Sequence, residues 1–177
     1  KSPRMVAFLG CVLTGFSAIS FLSFPIAAII FAGIGNALFH VGGGSISLNL
    51  TPKKAAAPGV FVAPGALGLF VGTILGKSGH FIAWPFILTL AILCFLIFII
   101  QKPEMNYKIE KIEENKFNCF WLILILVFLS IAIRSLVGMA LVFPWKTNID
   151  LLIILTAVVV LGKGFGGILA DKFGWVR

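Results

Sequence analysis

The chain has 177 residues, 60% of them hydrophobic and 11% charged, with a formal net charge of +8 and a mean hydropathy of +1.12. A water-soluble domain carries roughly 25% charged residues to cover its surface, so this composition excludes a soluble globule and makes lipid the solvent for most of the chain. The basic residues cluster in short connections between apolar runs, the pattern of topology determinants, which excludes nucleic acid as a partner.

A helix crossing the hydrocarbon layer of about 30 Å needs about 20 apolar residues. The first such stretch runs from Met5 to Ser23. It follows the basic Lys1–Arg4 but is a full span with no small-residue cleavage site after it, unlike a cleavable leader. The second runs from Pro25 to Leu50 and places Gly33, Asn36, His40, Gly43 and Ser47 at spacings of three or four, so one helix face is small and polar. His40 lies near the bilayer centre by count. An intramembrane ionisable residue faces a cavity or a partner. Two readings therefore stand for His40: a functional group on a polar path with Asn36, or a neutral histidine bonded to a neighbouring helix.

The third span runs from Ala55 to Gly76. Gly68, Gly72 and Gly76 form a small-xxx-small stripe for close helix packing, and Pro64, followed by Gly65, removes a backbone bond and predicts a kink. The fourth, Phe81 to Ile100, has neither glycine nor charge. A hydrophilic connection, Gln101 to Lys116, alternates Lys and Glu. It reads as a solvated linker, or as a surface helix that binds a partner.

The fifth span, Phe117 to Phe143, holds Arg134 with Ser130, Ser135 and Gly138 on or near its face. A lone arginine at this depth costs about 3 kcal/mol on insertion scales, so it faces water or a carboxylate. Either it is a guanidinium clamp for an anionic group, or it pairs with Asp150 or with an acid elsewhere. The sixth span, Ile149 to Ala170, carries Lys163 within snorkelling distance of its end. Backbone groups in lipid are satisfied internally, so all these runs are helices. The fold class is all-α, a polytopic transmembrane bundle of six spans.

Lys1, Arg4, Lys53, Lys54, Lys102, Lys108, Lys111, Lys116, Lys172 and Arg177 fall on one side of such a bundle, and only Lys77 and Lys146 on the other. That bias places both ends of the chain on the cytoplasmic side of a cytoplasmic membrane. Trp84, Trp121, Trp145 and Trp175 all fall near an expected interface, as anchoring residues do. Cys11, Cys94 and Cys119 are far apart and show no metal-ligand spacing, so they read as small apolar residues, with no metal and no cofactor. Neither paired carboxylates nor a nucleophile–base pair is evident, which argues against an enzyme.

The last span ends in Gly166-Gly167-Ile-Leu-Ala-Asp171-Lys172-Phe-Gly174-Trp-Val-Arg177. A glycine, an aspartate four later, a base and then a glycine at a helix end resembles the loop signature of the major facilitator superfamily, which recurs after the second and eighth of that family's twelve spans. In physical terms the glycines allow close helix approach, the aspartate accepts hydrogen bonds from a neighbouring helix N-terminus, and the base holds the loop at the cytoplasmic face. Trp175 and Val176 stand where bases are common in the family. Lys1-Ser-Pro-Arg4 resembles the tail of the same signature. The resemblance implies that these spans match the family's third to eighth. Residues 1–100 are then four helices of an N-terminal bundle, 101–116 the central linker, and 117–177 two helices of a C-terminal bundle. The remainder of such a transporter would lie outside both ends.

The Phe39-His40 pair in a glycine-rich span resembles the fosmidomycin-resistance branch of efflux proteins. Pro64-Gly65 resembles the family's antiporter motif in reversed order. What the family implies is a secondary active transporter, a permease that moves a small solute by alternating access. Asn36, His40, Ser130 and Arg134 would line its path, and the solute is anionic if Arg134 is the clamp. None of Glu104, Glu110, Glu113, Glu114, Asp150 and Asp171 sits at mid-membrane by count, so a proton would be carried by His40 or by a carboxylate elsewhere. The alternative is a membrane scaffold or sensor that uses the same fold without transport.

Overall fold

Each unpaired backbone group in hydrocarbon costs several kcal/mol, which leaves the helix as the default for an apolar run of span length. The computed structural model describes residues 2–79, 82–100, 117–140 and 148–174. Among the described residues all regular structure is helical: α1 (Pro3–Ser20), α2 (Pro25–Leu50), α3 (Ala56–Ser78), α4 (Trp84–Ile99), α5 (Phe117–Ala140) and α6 (Ile149–Phe173). Five of these contain segments long and apolar enough to cross a membrane, the segment in α5 being Phe120–Gly138. The chain is a multi-pass membrane protein.

The helix ends follow local chemistry. Pro3 and Pro25 open α1 and α2, and Pro85 stands in the first turn of α4, where a missing N–H is harmless. Asn148 caps α6 through its side-chain oxygen, which accepts from the N–H groups of Asp150 at 2.9 Å and Leu151 at 3.3 Å. Gly79 and Gly174 adopt φ of +70° and +80° after α3 and α6, the left-handed conformation that ends a helix most readily at glycine. As a result α6 runs three residues past Ala170, to Phe173, and carries Asp171 and Lys172 on its last turn. The fourth apolar run forms a shorter helix than its hydropathy predicts, 16 residues, or about 24 Å at 1.5 Å per residue. Expectations for Phe81, Gln101–Lys116, Trp145, Lys146 and Trp175 lie outside the described residues.

The described chain divides into two compact units, Lys1–Asn106 with Thr156–Arg177, and Tyr107–Leu155. In the first, α1 packs most extensively on α2, while α4 packs on α1 and α3 on α2. The buried residues are small: Ala7, Gly10, Cys11, Ala28, Gly35, Gly42, Ser47, Ala63 and Thr156. Large apolar side chains such as Leu22, Ile26, Ile29 and Leu69 point outward. This inverts the soluble pattern. Lipid tails are as apolar as leucine, so helices associate through close packing of small residues and not by hiding large ones.

The α1–α2 contact shows how close that packing is. A Cβ at Gly35 would lie 2.6 Å from Thr14 Oγ1 and 2.9 Å from the Gly10 carbonyl oxygen. A Cβ at Gly10 would lie 2.8 Å from the Gly35 carbonyl oxygen, and one at Gly42 would strike the backbone of Pro3 and Ala7. Thr14 Oγ1 donates to Gly10 O at 2.9 Å and Asn49 Nδ2 to Ser45 O at 2.7 Å, each within its own helix, whereas Nη2 of Arg4 is buried without a hydrogen-bond partner among the described residues. Arg4 lies with its guanidinium 5.6 Å from the Phe98 ring, a cation–π contact that joins α1 to α4 beside the edge-on pair Phe8–Phe98.

Backbone cannot step aside for an added side chain, so Gly42→Leu should lower unfolding stability in detergent by about 1–3 kcal/mol. Gly44, with nothing within 4 Å of an added Cβ, is the control. Gly44→Ala should leave stability unchanged or raise it by up to about 1 kcal/mol. Thermal unfolding of the two variants measures both.

Candidate functional site

The first turn of any helix exposes N–H groups without intrahelical partners. Most helices supply a Ser, Thr, Asp or Asn to meet them. Helix α3 does not: its N-cap is Ala55, followed by Ala56, Ala57 and Pro58, with no side-chain cap of its own. The acceptor comes from α6. Asp171 Oδ1 accepts from the N–H of Ala55 at 2.6 Å and Oδ2 from the N–H of Ala56 at 2.9 Å. Both carboxylate oxygens are thus engaged by the start of one helix from the end of another. A full negative charge at a helix N-terminus meets the positive end of the dipole, and bonds to a charged acceptor are worth roughly 1.5–3 kcal/mol each.

Two glycines make that reach geometrically available. A Cβ at Gly59 would stand 2.6 Å from the Lys163 carbonyl oxygen and 3.4 Å from Gly167 Cα. A Cβ at Gly167 would strike the Ala55 carbonyl and stand 3.0 Å from Ala56 Cα. Each helix therefore presents a glycine to a carbonyl of the other. One turn further along, Ala63 Cβ lies 3.9 Å from the position a Gly164 Cβ would take. The seam runs along 55, 59 and 63 of α3 and along 163–164, 167 and 171 of α6, spacings that keep each set on one helix face. Gly174 ends α6 just beyond it, its N–H bonded to Ala170 O at 3.0 Å.

The other residues singled out by sequence are placed as follows. Asn36 and His40 lie one turn apart on α2 and are both exposed. The His40 ring sits 5.9 Å from that of Phe61 on α3 and 6.2 Å from that of Phe39, and Phe39 and Phe61 are themselves 5.8 Å apart. On α5, Ser130 and Arg134 lie one turn apart and are both exposed. Among the described residues no carboxylate is in ion-pair contact with Arg134. Pro64 lies inside α3 and lines a small apolar cavity of about 320 Å³ with Ala63, Val160, Gly164 and Ile168. A Cβ added at Gly65, Gly68, Gly72 or Gly76 would meet nothing within 4 Å.

Sequence reasoning missed Gly59, Ala55 and Ala56 as partners of the signature. The signal available was an absence, a helix start with no capping side chain of its own. No family model, no curated protein and no solved structure matches the chain.

Asp171→Ala should leave the first turn of α3 without its acceptor. Hydrogen exchange at the amides of residues 55–60 should then speed up by about tenfold, the equivalent of a lost cap worth about 1.4 kcal/mol. Asp171→Asn keeps one acceptor oxygen and loses the charge, so its exchange rates should fall between those of wild type and Asp171→Ala.

Proposed function

We propose that this chain belongs to a secondary active transporter of the major facilitator type, a permease that moves a small anionic solute across the cytoplasmic membrane by alternating access. The observation that supports this most is the Asp171 cap. Under the resemblance, α3 and α6 are spans from opposite halves of the transporter, and the Asp171 carboxylate with the Gly59–Gly167 approach joins them at one end. A contact made of two hydrogen bonds and a glycine seam is strong enough to favour one state. It is also weak enough for ligand binding to reverse, since moving a two-state equilibrium from 1:99 to 99:1 takes about 5.5 kcal/mol.

In this reading the N-terminal bundle is formed by α1–α4 and the C-terminal bundle by α5, α6 and spans outside this chain, joined by the linker 101–116. The end of the bundle carrying Lys53, Lys54 and Lys172 faces the cytoplasm, as the charge bias requires. Arg134 is the guanidinium that meets the anionic group of the solute, with Ser130 one turn away as a hydroxyl partner. Asn36 and His40 line the path from α2, and His40 carries the proton if transport is proton-coupled.

Reconstitution of the intact protein in proteoliposomes tests this, with uptake of radiolabelled solutes measured over a panel of anionic, neutral and cationic compounds. The reading expects uptake of anionic solutes only, abolished in Arg134→Ala and in Arg134→Lys. Retained uptake in either variant at normal expression removes Arg134 from the site. A transport rate independent of pH removes His40 as proton carrier. No uptake of any solute would favour the scaffold reading instead.

A further inference from the structure

Beside the Asp171 cap the structure holds an open cleft of about 800 Å³ whose lining changes character from one end to the other. At one end stand Lys54 and Lys172, both exposed, with Thr51 and the engaged Asp171. Along the other run Val60, Phe61 and Ile168.

The charge at the polar end is positive. Lys54 and Lys172 bring two ammonium groups, while the one carboxylate present has both oxygens taken by the N–H groups of Ala55 and Ala56. Lys172 Nζ lies 5.9 Å from the Phe173 ring, a contact that leaves its N–H groups able to donate elsewhere. An occupant that satisfies this cleft presents several acceptor oxygens with net negative charge at one end. At the other it presents a hydrocarbon chain to lie on Val60, Phe61 and Ile168. A soluble anion meets only the first demand, and a neutral acyl chain only the second.

We infer that the cleft binds one anionic phospholipid, with its phosphate at Lys54 and Lys172 and an acyl chain along Val60, Phe61 and Ile168. Basic clefts between transmembrane helices at a membrane face recognise anionic head groups by this chemistry. A volume of about 800 Å³ falls in the range of small-molecule sites, about 300–1,000 Å³, which accommodates a head group and the start of a chain. A head group whose own amine cancels the phosphate charge fits less well, because the cleft offers no uncommitted carboxylate to meet the amine. The inference stands on the cleft alone and does not depend on transport.

Native mass spectrometry of the intact protein in detergent, with equal amounts of phosphatidylglycerol and phosphatidylcholine added, tests it. Wild type should retain a single phosphatidylglycerol in preference to phosphatidylcholine. Lys54→Ala and Lys172→Ala should each weaken retention by about fivefold, and the double variant by roughly 25-fold. The double arginine variant K54R/K172R should keep it, and Lys77→Ala, at the far end of α3, should leave it unchanged. Both lysines are exposed, so their removal does not threaten folding. Equal retention of the two lipids, or unchanged retention in the double alanine variant, overturns the inference. Displacement of phosphatidylglycerol by millimolar inorganic phosphate would make the occupant a soluble anion and overturn it as well.

Discussion

The structure depends on one unmet need: the N-terminus of α3 has donors and no acceptor of its own. The acceptor comes from Asp171 at the end of α6, with both oxygens used. Several sequence features become intelligible from that constraint. Gly59 and Gly167 must lack side chains because the carboxylate reaches Ala55 and Ala56 only if the two backbones nearly touch. Gly174 must stop α6 promptly, so that the chain leaves the seam once the aspartate is in place. Lys172 then falls at the negative end of the α6 dipole, where a cation is favoured.

The same logic of backbone approach governs the α1–α2 contact, although no charge is involved there. Gly10, Gly35 and Gly42 bring two helices together until carbonyls and N–H groups lie at van der Waals distance. The few buried side chains are correspondingly small. Lipid supplies no drive to bury leucine or phenylalanine, so the interior is filled by what packs closely and the large residues are left to the bilayer. Stability in such a bundle is therefore held at a few backbone contacts. Substitutions at glycine are expected to matter more than substitutions at bulky apolar positions.

The spans were legible because hydropathy over about 20 residues is a bulk property that tolerates errors in detail. Boundaries were less so. Helix α1 begins at Pro3, two residues before the predicted Met5, because proline suits a first turn, and α6 extends through Asp171 to Phe173. Glycine was legible as a type of surface but not as a contact. Gly68, Gly72 and Gly76 form the most regular stripe in the sequence yet have open space around them within the described residues, whereas Gly35, Gly42, Gly59 and Gly167 carry the close approaches. Spacing reports that a face is small. It does not report which helix lies on it. Asp171 presents the chemistry of an acceptor in any reading of the motif, but the identity of its donors depends on an approach between residues more than 110 positions apart. No local pattern encodes that.

The most direct test of the account is the distance between the two helix ends that the cap joins. Spin labels at Lys53→Cys and Phe173→Cys, both exposed positions flanking the seam, report it by pulsed electron–electron resonance on the intact protein in lipid nanodiscs. If the cap is a reversible latch, two distance populations are expected, with the longer one enriched by Asp171→Asn. A single short distance, unchanged when the carboxylate is neutralised, would make Asp171 a fixed structural cap and contradict the account.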